Sequence, residues 1–435
     1  MNKETIEYSV KQKIPVTIQA EVIVIGGGPG GIGAAVAAAR NGADTVLIER
    51  YGCLGGMASI GEVFPFMLNH LKGKTLDKPV YADWVNAMRK YSPDYDGGRD
   101  EEVETSRGCY SKDEAMLAAE DICLEAGVRL VYHHNLFDAI VKDGGIEAAV
   151  LFSKSGLSAA KAEVFIDCSG DGDLAVKSGC EYEYGNDEAL CQPMTLCFKV
   201  SGVDTDRLPE RAGINVLYDE AKAKGEIQCP RENVLWFPTS QKGVIHFNTT
   251  RVIKKSAVNG LELSQAEIEA REQLRQYLNF LRKYVPGCEN IRLHSVAHHI
   301  GVRESRRIVG IDYIGVEAFD QARKYPDGIA RVRYPIDIHN PSGSGTILKK
   351  IADDDCYEIP YGCIVAKDVS NLLLGGRPIS VDHALHSSMR VMPPACSVGQ
   401  AAGAAAAMAV ETHTHPAKLD GVKVRKKLRE MGAVL

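Results

Sequence analysis

The chain contains no C-x-x-C pair. Its twelve cysteines are scattered, and the closest pairs are Cys191 with Cys197 and Cys356 with Cys363. That spacing suits neither a zinc site, nor a ferredoxin-type cluster, nor a disulfide framework, so reduced thiols in a cytoplasmic setting are expected and no metal. Positive charge is not in excess either. A formal net charge of −6 gives no reason to expect nucleic acid or an anionic membrane as partner. No basic stretch followed by an apolar one opens the sequence, so secretion is not expected. No apolar run reaches the length of a membrane span: the Ala-rich stretch Ala401–Val410, preceded by Pro393 and Pro394, reads as a buried helix. Internal repeats and low-complexity tracts are absent too. What remains is an ordinary globular composition, with 45% apolar residues, over 435 residues, enough for two domains with cores of their own.

Glycine is where the sequence becomes specific. Val22-Ile-Val-Ile ends at Gly26, Gly28 and Gly31, a G-x-G-x-x-G set, and an alanine-rich stretch follows from Ile32 to Arg40. This order predicts strand, tight turn and helix. Gly26 permits the turn, Gly28 lets backbone approach a pyrophosphate, and Gly31 lets the helix pack on the strand. The helix start then offers free N–H groups and a positive dipole end to phosphates. A second apolar strand, Thr45–Ile48, delivers Glu49 eighteen residues after Gly31, where a carboxylate accepts hydrogen bonds from ribose hydroxyls. The segment is a dinucleotide site, with NAD and FAD both open on the fingerprint alone.

The rest of the chain divides by pattern. Residues 1–20, ahead of a first strand placed near Glu21, read as an irregular arm or an extra edge strand. Residues 62–108 read as an insertion, with Gly97-Gly98 and the acidic run Asp100–Glu102 marking a loop. A helix over Lys112–Ala126 and a strand over Val128–Tyr132 follow. Ala148–Phe152 and Ala162–Ile166 look like an antiparallel excursion with turns at Gly144-Gly145 and Gly156. Ser264 with Glu267 forms a capping-box pattern ahead of a helix running to Tyr284, stopped by Pro286-Gly287. Near the C-terminus, Leu372–Leu374 opens into Gly375-Gly376-Arg377, and Gly399-Gln-Ala-Ala-Gly403 leads the Ala-rich helix. A glycine-led helix start there would suit the partly anionic edge of a flavin ring; its alternative is a small-residue helix packed closely on a neighbour.

Together these stretches resemble the FAD-dependent oxidoreductase family within the glutathione reductase-like flavoproteins. The likeness is carried by Gly26–Gly31 with Glu49, Cys53-Leu-Gly-Gly56, Ile166–Gly172, Ile300–Ile308, Gly376-Arg377-Pro-Ile-Ser, and Ser388-Met-Arg390 through Gly403. It implies an α/β protein whose FAD-binding Rossmann-like domain, residues 20–180 and 356–435, carries an inserted α+β substrate domain over 181–355. Gly26, Gly28, Pro29, Gly30, Gly31, Glu49, Arg50, Gly55, Gly56, Gly170, Gly376, Arg377, Gly399 and Ala402 would contact FAD. Two features depart from the disulfide reductases. Cys53 is followed five residues later by Ala58 rather than by a second cysteine, and no second strand–glycine–helix unit for a nicotinamide is present.

A flavin dehydrogenase also needs a proton carrier and groups that orient substrate. His294, His298, His299, Arg303, Arg306 and Arg307 fall within fourteen residues, and Asp382, His383, His386 and Arg390 form a second cluster. His298 and His383 are the candidate acid/base groups and Arg303 the candidate anion fork. Ion pairing among Glu304 and its arginine neighbours, and a hydrogen-bonded His383, are the structural alternatives. Cys53 reads as a packed thiol, and Asp171 and Asp173 as residues fixing the Gly170–Gly172 turn. The expectation is hydride transfer between a small organic substrate and flavin N5, with an electron donor or acceptor unidentified. A flavin monooxygenase and a flavin-bearing electron-transfer subunit of a larger complex are the alternatives.

Overall fold

The computed structural model describes residues 12–92, 111–352 and 354–435. The Gly97-Gly98 and Asp100–Glu102 loop expected from the sequence lies outside them, as do residues 1–11. Strand β1 (Val16–Ile25) leads into helix α1 (Pro29–Arg40) and strand β2 (Thr45–Ile48). β2 is buried throughout and β1 over its last four residues. A parallel strand covered on both faces has no wet side, which is why both read as continuous apolar runs. Helices α2 (Val80–Tyr91) and α3 (Lys112–Glu125) pack together, and strand β3 (Arg129–Val131) follows. Strands β4 (Asn135–Lys142), β5 (Gly145–Ser153) and β6 (Gly156–Asp167) form a meander closed by the short helix α4 (Asp173–Lys177).

A second sheet comes next, built from β7 (Phe198–Ser201), β8 (Trp236–Pro238), β9 (Ile245–Phe247) and β10 (Arg292–Val296) in the antiparallel order β8-β9-β7-β10. Helices α5 (Arg211–Ala223) and α6 (Gly260–Tyr284) belong to the same stretch of chain. α6 starts earlier than the sequence pattern suggested. Its cap is Asn259, whose side chain accepts from the backbone N–H groups of Leu261 and Glu262, and Ser264 lies inside the helix. Glu267 instead accepts from the Ile300 N–H at 2.7 Å, a tertiary partner that a local pattern cannot reveal. The chain then forms a hairpin of β11 (Ile336–His339) and β12 (Thr346–Lys349), strand β13 (Leu372–Leu374), and helices α7 (His383–Met389) and α8 (Met392–Glu411).

The large sheet runs β3-β2-β1-β6-β5-β4, with β13 also on β6. β3, β2, β1, β6 and β13 are mutually parallel, whereas β5 meets β6 antiparallel. β6 therefore serves both the parallel layer and the meander. β1 starts at Val16 rather than Glu21 because its first residues continue the parallel pairing along β6, up to Val16 beside Ala159. Its exposed polar positions there hide the strand from an apolar-run reading.

Two hydrophobic clusters result. One takes residues from both ends of the chain, including Phe64, Trp84, Ile308, Phe319, Val332 and Leu374. The buried members of the other all lie between Met194 and Val302, and half-buried Val63 packs against both clusters. Fully burying each such large apolar side chain contributes about 1.5–3 kcal/mol.

α1 and α8 cross at backbone contact. A Cβ on Gly399 would run into the Gly30 carbonyl, and one on Gly403 into the Ala34 carbonyl. Gly399 thus sits in mid-helix, seven residues inside α8, and does not lead a helix as the sequence reading had it. The helix begins at Met392 with Pro393 and Pro394 in its first turn, where proline loses no hydrogen bond.

Candidate active site

The carboxyl ends of β1, β2, β6 and β13 meet at one cavity of about 660 Å³. This is the crevice of a parallel sheet where ligands bind. Ile25, Gly26, Ile48, Glu49, Cys168, Gly170, Gly375 and Gly376 line it from those strand ends. Gly28, Pro29 and Gly30 add the start of α1, and Val391, Met392 and Ala395 add the start of α8. Two helix N-termini therefore face the cavity.

The glycines make a cradle because backbone packs on backbone. A Cβ on Gly30 would lie 2.9 Å from Gly376 Cα, and one on Gly56 2.7 Å from Gly28 Cα. Gly56 and Gly376 have φ of +51° and +82°, a region that glycine alone enters without strain. Gly28 itself has only Gly56 Cα near its open side, at 3.9 Å, so a ligand can approach its backbone. Glu49 is buried, with Oε2 accepting from Gly27 N–H at 2.6 Å and Oε1 from Tyr51 N–H at 2.9 Å. Each oxygen keeps a lone pair for a ribose hydroxyl. Arg377 donates to Asp171 Oδ1 at 3.2 Å while its Nη1 is buried without a partner. Arg306 pairs with Asp173, and burial first, then Asp171, pushes Asp173 up to about 6. An open glycine cradle at a helix start, a buried acid beyond it and an unpartnered guanidinium nitrogen all fit FAD.

The far wall comes from the middle of the chain. Arg303 donates from Nη1 to the Pro193 carbonyl at 2.7 Å and to Thr195 Oγ1 at 2.5 Å. Burial, then Arg390, pushes the Arg303 guanidinium down, though arginine remains charged at neutral pH. Arg390 donates to Gln192 Oε1 at 3.2 Å and the Asp337 carbonyl at 3.4 Å, with Nε unpartnered. It does not bridge to Asp382, which caps α7 through Leu385 N–H at 2.6 Å. Asp337 lies beside His339, whose Nδ1 is 3.2 Å from Arg251 Nη2. Arginine only donates, so Nδ1 of His339 accepts; burial holds that ring neutral, with its pKa down at about 3.

The sequence candidates fall unevenly around this cavity. Arg50, Arg303 and Arg377 line it, whereas His298 and His383 do not. His298 is exposed, 3.5 Å from Lys112 Nζ. His383 Nδ1 is 2.8 Å from buried Glu304, which also holds Arg307 at 2.5 Å; this is the ion-pair network the sequence left open. His299, one residue along, does line the cavity. Its Nδ1 is 2.6 Å from the Ile300 carbonyl, which only accepts, so Nδ1 carries the proton and Nε2 the lone pair. Gly31 and Gly55 stand behind the cradle, and Gly399 and Ala402 pack inside α8 without reaching the cavity. Cys53 is half-buried, its Sγ 3.9 Å from Ser59 Oγ, and burial raises its thiol pKa. Among the described residues no group of three or more His, Cys, Asp or Glu side chains could hold a metal. Asp337, His339, Tyr334 and Arg231 were not singled out from the sequence. Only the i, i+2 spacing of Asp337 and His339, on one face of a strand, hinted at them.

The sequence model of one family, described as FAD dependent oxidoreductase, matches residues 21–428. A search of curated proteins found no match. Among solved structures the chain resembles a geranylgeranyl bacteriochlorophyll reductase-like protein from Thermoplasma acidophilum at 13% identity, covering 96% of this chain and 84% of that one, with a TM-score of 0.46. It also resembles the myxobacterial chondrochloren halogenase CndH at 13% identity, with 95% and 79% covered and a TM-score of 0.45. A third is p-nitrophenol 4-monooxygenase PnpA from Pseudomonas putida DLL-E4, at 12% identity with 95% and 84% covered and a TM-score of 0.43. No helix among the described residues is long and apolar enough to cross a membrane.

Proposed function

The chain belongs to the FAD dependent oxidoreductase family, and from that premise we propose that it transfers a hydride between a small organic substrate and N5 of bound FAD. The observation that carries this reading is the continuity of one cavity, from the glycine cradle to a wall of charged side chains. Its arrangement is read as glutathione reductase-like. Residues 20–180 and 356–435 form the FAD unit, and 181–355 the substrate unit, with the cluster between Met194 and Val302 at its centre.

Gly28, Gly30, Glu49, Arg377 and the start of α8 would hold FAD, which supplies a two-electron acceptor when bound. The chain's own residues do the rest. Arg303 has Nε and Nη2 left over from its Pro193 and Thr195 bonds, and these orient the substrate. His299 takes the coupled proton at Nε2, since Nδ1–H is committed to the Ile300 carbonyl. His339, held neutral and bonded through Nδ1, fixes the wall instead of carrying protons. His298 and His383 have no part in the chemistry.

The test is an anaerobic absorbance spectrum of the FAD-loaded protein, taken before and after small carboxylates, alcohols, amines, NADH and NADPH. Bleaching by a small organic molecule is expected. Bleaching by a nicotinamide alone would replace this reading with a reductase or a monooxygenase.

A further inference from the structure

The charges around the cavity are balanced at one end and unbalanced at the other. At the glycine end Arg306 pairs with Asp173, Arg377 with Asp171, and Arg50 lies in the field of Glu49 and both aspartates. At the far end Arg251 pairs with Glu232 at 3.1 Å. Arg231, Arg303 and Arg390 have no such partner. Arg231 donates to Asn233 Oδ1 at 3.2 Å, and the other two donate only to carbonyls, an amide and a hydroxyl. All three line the cavity, and among the described residues none is in an ion pair. Asp337 acts on both Arg303 and Arg390, and Glu304, which also acts on Arg390, is already paired with Arg307 and His383, so two positive charges stay unmatched. Buried cations without counter-ions are costly unless an anion completes them.

We propose that the substrate is an organic dianion, a dicarboxylate seated between Arg231, Arg303 and Arg390. The inference rests on reading this cavity as the active site. The three guanidinium groups come from separate parts of the chain: the turn before β8, the segment after β10, and the end of α7. Three guanidinium forks offer more donors than one carboxylate can accept, and so suit two. Arg390 Nε, buried and unpartnered, is the donor such a ligand would satisfy first.

The experiment is calorimetric titration of the FAD-loaded protein with succinate, its neutral analogue succinamide, and inorganic phosphate. FAD uptake is read by absorbance in the same samples. Succinate should bind at least tenfold more tightly than succinamide or phosphate, and should weaken steeply as salt is raised. Arg390→Met should abolish the preference for succinate, and Arg390→Lys should retain part of it. Circular dichroism of both variants shows whether they fold, and the salt dependence of the unaltered protein stands without them. Equal binding of succinate and succinamide overturns the proposal, as does tighter binding of phosphate. So does succinate binding only when FAD is absent, because the arginines would then serve the cofactor. If FAD is not taken up, the functional reading fails, and the succinate–succinamide comparison still decides this one.

Discussion

At the residue scale, one position separates a histidine that faces solvent from one that faces the cavity. His298 and His299 are adjacent and chemically identical, and only the turn of the backbone after β10 puts His299 on the cavity and leaves His298 exposed. No sequence signal distinguishes them. His299→Gln should lower turnover by about 10²–10⁴-fold with FAD retained, the usual span for losing a proton carrier. His298→Gln should leave turnover within twofold, and steady-state rates on both variants check this. Asp77 offers a test of a different kind. It is fully buried, accepting from Ser397 Oγ at 2.6 Å and Asn69 Nδ2 at 2.9 Å, and burial pushes it up to about 7. A raised carboxyl favours the protonated form in the fold, so its contribution is present at low pH and lost as pH rises through about 7. Asp77→Asn should therefore gain up to about 4 kcal/mol over the unaltered protein above pH 8 and lose that advantage near pH 4, as read by urea midpoints.

At the element scale, β1, α1 and β2 were legible because buried parallel strands are continuous apolar runs and the glycines between them have no other use. The start of α8 was legible too, in Pro393-Pro394, but Gly399 drew the reading seven residues too far. A glycine where two helices touch and a glycine at a helix start look alike in sequence. Burial against α1 tells them apart: Gly399→Ala should cost at least about 1–3 kcal/mol, because the obstacle is the Gly30 carbonyl and not a movable side chain. The cap of α6 gives the matching comparison. Asn259→Ala should cost about 0.5–2 kcal/mol, whereas Ser264→Ala, inside the helix, should change little, and thermal unfolding of the two variants reads the difference. The β11–β12 hairpin was not legible. Asp337 and His339 acquire their meaning from Arg251, Arg303 and Arg390, which come from elsewhere in the chain.

For the whole molecule, three buried histidines set the response to acid. His246 and His339 are pushed down to about 3 by burial, and His386 well below its ordinary value for the same reason. A lowered histidine stays neutral in the fold and protonates when unfolded. Its contribution is thus intact above pH 6.5 and lost as pH falls toward 3. Asp77, Asp167, Asp173 and Glu269 are raised and change in the opposite direction, which offsets part of that loss. The urea midpoint should fall between pH 7 and pH 5, by a few kcal/mol of unfolding free energy (roughly 1.4 kcal/mol per unit of pKa shift). The two ends of the chain share one hydrophobic cluster, and both contribute to the glycine cradle proposed for FAD, so FAD should report on the fold as a whole. At a hundred times its dissociation constant it should add about 2.7 kcal/mol.

Hydride transfer from a small organic molecule within this cavity is the step on which the proposed function stands. Its most direct test is the anaerobic bleaching rate of the FAD-loaded protein with one reducing substrate, carrying hydrogen or deuterium at the carbon to be oxidised. Bleaching that deuterium slows is expected. A flavin spectrum left unchanged by every small molecule, and bleached only by a reduced partner protein, would contradict it.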